Sequence, residues 1–366
     1  MSIDIGIIGL PQSGKTTIFN AFTGGTAEQS RHDVQAANIG IVKVPDKRLD
    51  ILTDMFKPKK RVPIEIKFVD ISAGVKSGKE IKGFSGELLT QLNNVETLVG
   101  VIRAFRDESI PHPEGSVDVK RDIATLEMEL AFSDLAIIER RLERIEGSLK
   151  ASKPADRPPI LREQETMLKL KSLLEAEKPL RDMAPDAAEA KIFANFQFIT
   201  AKPLLIVLDI GEDQLSEAEK MEEEFGAVCA SSTCRVAAIC GKLEEELASM
   251  DEAEARVFRD DYGLKESGLE RAIRLSYELS DMISFFTVGP DECRAWPIKR
   301  NTPAVKAAGK IHSDIEKGFI RAENVGYEDL IDCGSMAEAK KRGLLRLEGK
   351  EYIVKDGDIM NFLFNV

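Results

Sequence analysis

The sequence has no apolar run of 18 or more residues, so a membrane-spanning helix is not expected. The first residues, Met1 to Gly6, place no basic segment before the apolar ones, so a secretory signal is not expected either. The five cysteines form no CxxC pair and have no histidine beside them, so a zinc site is not expected. We therefore expect reduced thiols, Cys229, Cys234 and Cys240 among them, in a cytoplasmic protein.

Positive charge is scarce in the chain as a whole. The 51 Lys and Arg residues are outnumbered by 63 Asp and Glu residues, and the net charge of −12 argues against general coating of nucleic acid. The segment from Arg294 to Arg321 is the exception, with seven basic residues against two acidic ones. Its basic residues are Arg294, Lys299, Arg300, Lys306, Lys310, Lys317 and Arg321. Such a segment is either a solvated face or a surface for an anionic partner, and the pattern alone leaves both open.

Strands alternate with helices over much of the chain, whose 366 residues favour two or three domains. Strands are predicted at 3–8, 39–44, 64–69, 98–102, 204–208 and 235–239. This order is typical of an α/β fold with a mostly parallel sheet. From about Met282 the pattern changes, and a compact α+β module is expected. Its predicted strands are 285–288, 294–298, 351–354 and 359–364.

A helical segment interrupts the α/β pattern. Apolar residues recur at spacings of three and four from Met128 to Leu149, and a second apolar stripe runs from Ile160 to Leu174. Prolines between Lys153 and Pro159 end the first helix. We expect the two stripes to pack on each other as an antiparallel helical hairpin inserted over residues 123–195.

A P-loop pattern, GxxxxGK[ST], follows the first predicted strand and opens a helix: Gly9-Leu-Pro-Gln-Ser-Gly14-Lys15-Thr16. Such a loop surrounds phosphates with amide groups, its lysine neutralises their charge, and its hydroxyl ligates Mg²⁺. Lys15 is the predicted catalytic group and Thr16 a predicted metal ligand. The predicted phosphate-binding residues are Gln12, Ser13, Gly14, Lys15, Thr16 and Thr17.

A second metal ligand is expected at the end of a neighbouring strand. Asp70 follows the alternating stretch that begins at Ile64, so it lies at the carboxyl end of a strand. Ligands of open α/β sheets bind at that edge. Together with Lys15, Asp70 therefore reads as the magnesium-holding aspartate of a P-loop protein.

These residues resemble the YchF family, the Obg-like ATPases. The matching motifs of the first part are Gly9-Leu-Pro, Gly14-Lys-Thr-Thr17, Val42-Lys-Val-Pro-Asp46, Phe68-Val-Asp-Ile71 and Arg140-Arg-Leu-Glu-Arg144. Those of the C-terminal module are Arg294-Ala-Trp296, Ile311-His-Ser-Asp314, Glu316-Lys-Gly-Phe-Ile-Arg-Ala-Glu323, Leu347-Glu-Gly-Lys350 and Phe364-Asn-Val366. The resemblance spans nearly the whole chain.

The resemblance implies a fold and a function. The fold is an α/β P-loop NTPase (G domain) with an inserted antiparallel helical hairpin and a C-terminal β-grasp (TGS) module. The implied parts are a first G-domain segment at 1–122, the hairpin at 123–195, a second G-domain segment at 196–281 and the TGS module at 282–366. The family is similar to GTPases in fold but typically prefers ATP, hydrolyses it slowly and associates with ribosomes.

The family's base-reading motif, Asn-x-x-Glu, corresponds to the segment from Asp209 to Glu212. Asp209 stands where the family has Asn, and Ile210 stands where a guanine-reading protein has a lysine. Cys240 and Gly241 stand where the family has Ser and Ala. The base-binding residues implied in this way are Asp209, Ile210, Glu212, Cys240 and Gly241. ATP is the expected nucleotide, with GTP left open.

Departures from the family concern hydrolysis. The family's Asp-x-x-Gly becomes Asp70-Ile-Ser-Ala73, which displaces the glycine to Gly74. Val34 replaces a threonine whose hydroxyl completes the magnesium shell, and no water-positioning residue follows Ala73. His32 is a nearby candidate for that role, although a lone histidine in a loop more often has no catalytic part. We expect nucleotide binding to be intact and hydrolysis to be slow or dependent on a partner.

Two functions of different classes stay open. The first is a weak Mg²⁺-dependent ATPase or GTPase that switches its affinity for ribosomes or structured RNA through the segment from Arg294 to Arg321. The second is a degenerate RNA- or ribosome-binding adaptor whose nucleotide is structural or lost. A small-molecule phosphotransferase fits less well, because the insertion has the pattern of a long hairpin and not of an arginine-bearing lid. Neither a membrane nor a specific DNA sequence is an expected partner.

Overall fold

The computed structural model of the chain describes residues 3–24, 38–71, 86–193, 195–229, 232–264 and 266–365. The chain divides into two compact units, the first made of residues 1–42 and 67–279 and the second of residues 43–66 and 280–366. Four positions named above, His32, Val34, Ala73 and Gly74, lie outside the described residues. Within the described ranges, no helix combines the length and the apolar character that crossing a membrane requires.

The helices and strands follow in chain order. Up to residue 103 they are β1 (Ile3–Gly9), α1 (Lys15–Thr23), β2 (Asn38–Lys43), α2 (Lys47–Phe56), β3 (Lys60–Val62), β4 (Glu65–Asp70), α3 (Gly86–Asn94) and β5 (Thr97–Arg103). The next elements are α4 (Val119–Ala151), α5 (Arg157–Glu175), α6 (Ala187–Phe193), β6 (Leu204–Asp209), α7 (Ala218–Gly226), β7 (Cys234–Ile239), α8 (Gly241–Ala248), α9 (Glu252–Asp261) and α10 (Gly268–Leu279). The last are β8 (Met282–Val288), β9 (Glu292–Lys299), α11 (Ala304–Ile311), α12 (Ser313–Lys317), β10 (Phe319–Gly326), α13 (Tyr327–Cys333), α14 (Met336–Lys341), β11 (Arg346–Glu348) and β12 (Asp358–Phe364).

A six-stranded sheet with the order β2-β4-β1-β5-β6-β7 forms the centre of the first unit. β1, β5, β6 and β7 pair in parallel, with Ile7 beside Val99 and Gly100 beside Ile206. Every residue of β5 and β6 is buried, as expected for central parallel strands covered on both faces. The predicted α/β fold is confirmed.

The predicted helical hairpin is present as α4 and α5. The two helices run antiparallel, since Arg141 pairs with Glu163 and Lys171 pairs with Glu139. Their apolar stripes meet in a core that includes Ile138, Ile145, Met167, Leu170 and Leu174. α4 begins a few residues before the predicted hairpin, where the side chain of Asp118 accepts a hydrogen bond from Arg121 N and caps the helix.

The second unit contains a mixed six-stranded sheet with the order β11-β10-β12-β8-β9-β3. β12 pairs in parallel with β8 and antiparallel with β10, and α11 packs over the sheet, as in a β-grasp fold. The strand predicted at 351–354 is wrong, because there Ile353 forms an isolated bridge with Pro303. β10, which begins at the end of the basic segment, is a strand that the apolar pattern did not predict.

Residues 43–66 belong by contact to the second unit, although the sequence division includes them in residues 1–122. β3 pairs in parallel with the edge of β9, with Lys60 beside Glu292. Leu49 and Leu52 of α2 are fully buried, and the Cys293 thiol lies 3.9 Å from the carbonyl oxygen of Leu52. A three-residue edge strand leaves no periodic signal, so this grouping is not readable from the sequence.

The cysteines differ in part from the expectation of reduced thiols. Cys229 and Cys234 form a disulfide, so the expectation is wrong for this pair. Their Cα atoms lie 5.1 Å apart, within the distance that a disulfide spans. Cys240, Cys293 and Cys333 are free thiols, as expected.

Candidate functional site

The P-loop connects β1 to α1, at the carboxyl edge of the parallel sheet. Gln12 and Gly14 have φ angles of 60° and 92°, left-handed values that turn the chain into the helix. A Cβ atom at Gly14 would lie 2.1 Å from Oδ2 of Asp209, so a larger residue does not fit there. Ser13 Oγ is buried, and no described atom forms a hydrogen bond with it. The loop therefore combines a tightly curved backbone with a buried hydroxyl group that forms no hydrogen bond with the described residues.

Lys15 is the first residue of α1, and its side chain folds back over the loop. Its Nζ donates hydrogen bonds to the carbonyl oxygens of Gly9, at 2.9 Å, and Leu10, at 2.8 Å. Burial lowers the pKa of Lys15, and the negative charges of Asp70 and Glu129 oppose that shift. The ammonium group thus lies among acceptors and acidic groups at the mouth of the loop.

The two predicted metal ligands are both neighbours of Lys15, Thr16 in the chain and Asp70 through its charge. Thr16 follows it in the first turn of α1 and is exposed. Asp70 ends β4, its side chain is buried, and its Oδ2 accepts a hydrogen bond from Asn38 Nδ2 at 3.4 Å. A hydroxyl and a carboxylate are oxygen ligands of the kind that Mg²⁺ prefers. The residues present therefore fit this ion.

Asp209, the last residue of β6, faces the P-loop. Its Oδ1 accepts a hydrogen bond from the amide of Gly241 at 3.0 Å, while Oδ2 lies against Gly14. The side chain is 4% exposed, and burial raises its pKa to about 7, although the charge of Arg103 acts in the opposite direction. Asp209 thus connects the loop after β6, the start of α8 and the P-loop.

The other predicted base-binding residues are not arranged as one side-chain pocket. Ile210 is 2% exposed and packs into the core of the first unit. Glu212 is exposed and forms an ion pair with Lys242 at 3.1 Å. Cys240 and Gly241 are buried at the start of α8. Glu212 is therefore the one exposed side chain of the five.

Three further titratable residues near the P-loop belong to no motif in the sequence. His112 Nε2 lies 3.1 Å from Asp122 Oδ2, and both side chains line a narrow cavity behind Leu10 and Ser13. Glu129 is half-buried on α4, and the charge of Lys15 acts on its pKa, which burial raises. The sequence signal for the two acids is their seven-residue spacing, which places Asp122 and Glu129 on one face of a helix.

The basic segment is spread over several elements of the second unit. Arg300 pairs with Asp281, Lys306 with Glu316 and Lys317 with Asp314. The guanidinium carbon of Arg294 lies 4.1 Å from the centre of the Trp296 ring. Among the residues described, Lys299, Lys310 and Arg321 have no acidic partner within 4.0 Å. The segment therefore offers fewer unpaired charges than its composition indicates.

Comparisons with known proteins match the whole chain. A family model described as "YchF-GTPase_C: Protein of unknown function (DUF933)" matches residues 282–365. The chain is 40% identical to the "Ribosome-binding ATPase YchF" of Bacillus subtilis (strain 168) and 37% identical to that of Escherichia coli O157:H7, over 100% of each chain. The solved structure of the Schizosaccharomyces pombe YchF GTPase is 29% identical, with a TM-score of 0.85 over 99% of this chain and 98% of that one.

Proposed function

The chain belongs to the YchF family, and on that premise we propose that it binds a nucleoside triphosphate with Mg²⁺ and couples this binding to association with ribosomes. The observation that carries the nucleotide part is the position of Lys15 Nζ, which lies on two loop carbonyl groups beside the buried hydroxyl of Ser13. The ribosome part rests on family membership, since relatives carry the name "Ribosome-binding ATPase".

Different residues of the site contact different parts of the triphosphate. Lys15 exchanges its carbonyl acceptors for oxygens of the β- and γ-phosphates, while the amide groups of residues 12–17 surround them. Thr16 and Asp70 would hold Mg²⁺, which would supply positive charge to the bound triphosphate. Burial lowers the pKa of Lys15, and a bound phosphate is expected to raise it.

The loop after β6, residues 209–212 and here called the base loop, fits ATP better than GTP. A guanine-reading site covers the base with a lysine stem, whereas the Ile210 side chain at that position is buried in the core. The carboxylate of Asp209 accepts a hydrogen bond from Gly241 N and lies against Gly14. We therefore assign Asp209 to supporting the P-loop and not to reading the base. Glu212 is left as the exposed carboxylate that can accept a hydrogen bond from the amino group of adenine.

Hydrolysis is expected to be slow. The sequence places Val34 where a threonine would complete the magnesium shell, and Gly74 after Ala73 offers no side chain to orient water. A partner that supplies such a group would accelerate the reaction. The adaptor alternative draws on the same substitutions, and it predicts that nucleotide binding is absent or without effect on the ribosome.

Equilibrium titration tests the nucleotide part. Fluorescent ATP and GTP analogues are added to the full chain with and without Mg²⁺, and ATP is expected to bind more tightly than GTP. Lys15→Ala should abolish binding, whereas Lys120→Ala, which removes an exposed lysine paired with Glu224, should leave it intact. Tighter binding of GTP would refute the base assignment, and no binding of either nucleotide would favour the adaptor.

Co-sedimentation with ribosomal subunits tests the coupling. We expect the sedimenting fraction to differ between samples with ATP and samples without nucleotide, and to lose this dependence in Lys15→Ala. Association with ribosomes would also place the protein in the cytoplasm. A complex that is equally stable with and without nucleotide would argue against a switch.

A further inference from the structure

A groove of about 500 Å³ opens on the helical hairpin, between α4, α5 and α6. Six of its lining residues are Arg141, Arg162, Glu163, Lys191, Asn195 and Phe196. The volume lies in the range of small-molecule sites. The groove contains none of the residues assigned to the P-loop, the metal or the base, so it is a separate candidate site in the first unit.

One wall of the groove combines a guanidinium group with an aromatic ring. Arg141 donates from Nε and Nη2 to the two carboxylate oxygens of Glu163, each at 2.7 Å. Its guanidinium carbon lies 5.9 Å from the centre of the Phe196 ring. Phe196 in turn stacks on the buried ring of Phe198, with 5.6 Å between the centres and 15° between the planes. Aromatic rings and guanidinium planes are the surfaces on which unpaired nucleobases stack.

The rim of the groove is basic. Arg162 and Lys191 are exposed, and no acidic oxygen of the described residues lies within 4.0 Å of either. The carboxylate of Glu163 is neutralised by Arg141. Asp186 accepts hydrogen bonds from the first amides of α6, at 2.7 and 2.8 Å, which lower the pKa of its carboxyl group, and the charge of Arg162 acts in the same direction without an ion pair. Two unpaired cations beside a stacking wall, in a chain with a net charge of −12, indicate a ligand that is both planar and anionic.

We propose that this groove binds one unpaired nucleotide of a single-stranded or looped RNA. The base stacks on Phe196 and Arg141, the exposed amide of Asn195 meets the base edge, and the phosphate contacts Arg162 and Lys191. An acidic peptide would use the cations of the rim but not the planar wall, so RNA is favoured. The inference extends the ribosome part of the proposed function to a second surface and does not depend on the P-loop.

Fluorescence anisotropy with a labelled 12-nucleotide single-stranded RNA tests the site in the full chain. Phe196→Leu, which keeps an apolar side chain over Phe198, is expected to weaken binding about tenfold through lost stacking. Arg162→Ala/Lys191→Ala is expected to lower the slope of log affinity against log salt by about 1.4, since two phosphate contacts are removed. These two surface substitutions keep the test valid if Phe196→Leu disturbs the hairpin.

Two double variants serve as matched controls. Lys150→Ala/Lys153→Ala removes two exposed lysines from the tip of the same hairpin and should leave affinity unchanged. Lys310→Ala/Arg321→Ala removes two cations from the basic segment of the second unit. Equal losses in the tip and groove variants would show general attraction and overturn the site. Loss confined to the variant of the second unit would overturn the inference while leaving the proposed function intact.

Two further outcomes would contradict the inference. If the unmodified chain binds no RNA, both the groove assignment and any direct RNA contact fail, while the ATP titration still reports on the P-loop. If a labelled peptide of alternating Glu and Phe binds with dependence on Phe196 and the RNA does not, the groove takes an acidic partner. Affinity for RNA that falls in both groove variants and stays unchanged in the tip variant is the result that supports the proposal.

Discussion

Replacement of Asp209 by asparagine is expected to stabilise the first unit at neutral and alkaline pH. Asparagine keeps an oxygen that accepts the hydrogen bond of Gly241, and its amide has the same shape against Gly14. What it removes is the ionisation of a carboxyl group that is 4% exposed and whose pKa burial raises to about 7. Asn is also the residue that the family has at this position.

The sign follows from the two protonation states. The folded chain holds the proton up to a pH of about 7, whereas an unfolded aspartate loses it near pH 3.9. Between these values the folded state binds more protons, so the free energy of unfolding falls as the pH rises. The full loss is about 4 kcal/mol and is complete above pH 7. Below pH 4 the carboxyl group is neutral in both states and costs nothing.

The assay compares thermal unfolding of the two nucleotide-free proteins from pH 5 to pH 8. Over this range the advantage of Asp209→Asn should grow by about 3 kcal/mol, which raises its relative Tm by about 5 to 10 °C. Asp213→Asn, which removes an exposed charge on the neighbouring turn, is the matched control and should show no such growth. Parallel curves of Tm against pH for Asp209→Asn and the unmodified chain would refute the reasoning.

Three further substitutions test other contacts of the first unit. Glu129→Gln is expected to tighten ATP binding about fivefold in a titration, because it removes a negative charge that acts on Lys15, and unchanged affinity would contradict this. Asp134→Ala should cost about 3 kcal/mol in thermal unfolding, since this buried side chain accepts hydrogen bonds from Ile199 N, Thr200 N and Thr200 Oγ1, and Asp134→Asn should cost less. Lys202→Ala should lower the free energy of unfolding by about 2 kcal/mol and speed hydrogen exchange of the α3 amides. The reason is that Lys202 Nζ donates hydrogen bonds to the carbonyl groups of Leu92, Asn93 and Val95 at the end of that helix. Unchanged exchange would refute this role.

The sequence predicted the parts of the fold that rest on local pattern. The strand–loop–helix order around Lys15 and the apolar stripes of α4 and α5 are periodic signals, and each appears in the structure close to its predicted bounds. β3 and the grouping of residues 43–66 were not predictable, because a three-residue strand is stabilised by its pairing with β9, more than 200 residues away. The disulfide between Cys229 and Cys234 likewise depends on the turn between two elements.

The same distinction between local pattern and tertiary packing applies to the candidate site. The P-loop is contiguous in sequence, so its position between β1 and α1 follows from the motif. The base loop was predicted from correspondence to a family motif, and burial decides what each of its residues contacts: Asp209 turns towards Gly14, and Ile210 turns into the core. Glu129 lies more than 100 residues from Lys15 in the chain, and packing alone makes their charges interact. The roles of these residues stay predictions that the titrations test.

α4 gives a physical reason to expect coupling between the nucleotide and the hairpin. It is one helix of 33 residues that carries Asp122 and Glu129 beside the P-loop and Arg141 in the groove. Glu129 and Arg141 are separated by about 18 Å along the axis. A shift of α4 on triphosphate binding would therefore move the groove wall as well.

Coupling between the two sites is reciprocal: if ATP changes the affinity for RNA by some factor, RNA must change the affinity for ATP by the same factor. If ATP leaves the affinity for RNA unchanged, the coupling factor is one, and α4 is then a scaffold without a signalling role.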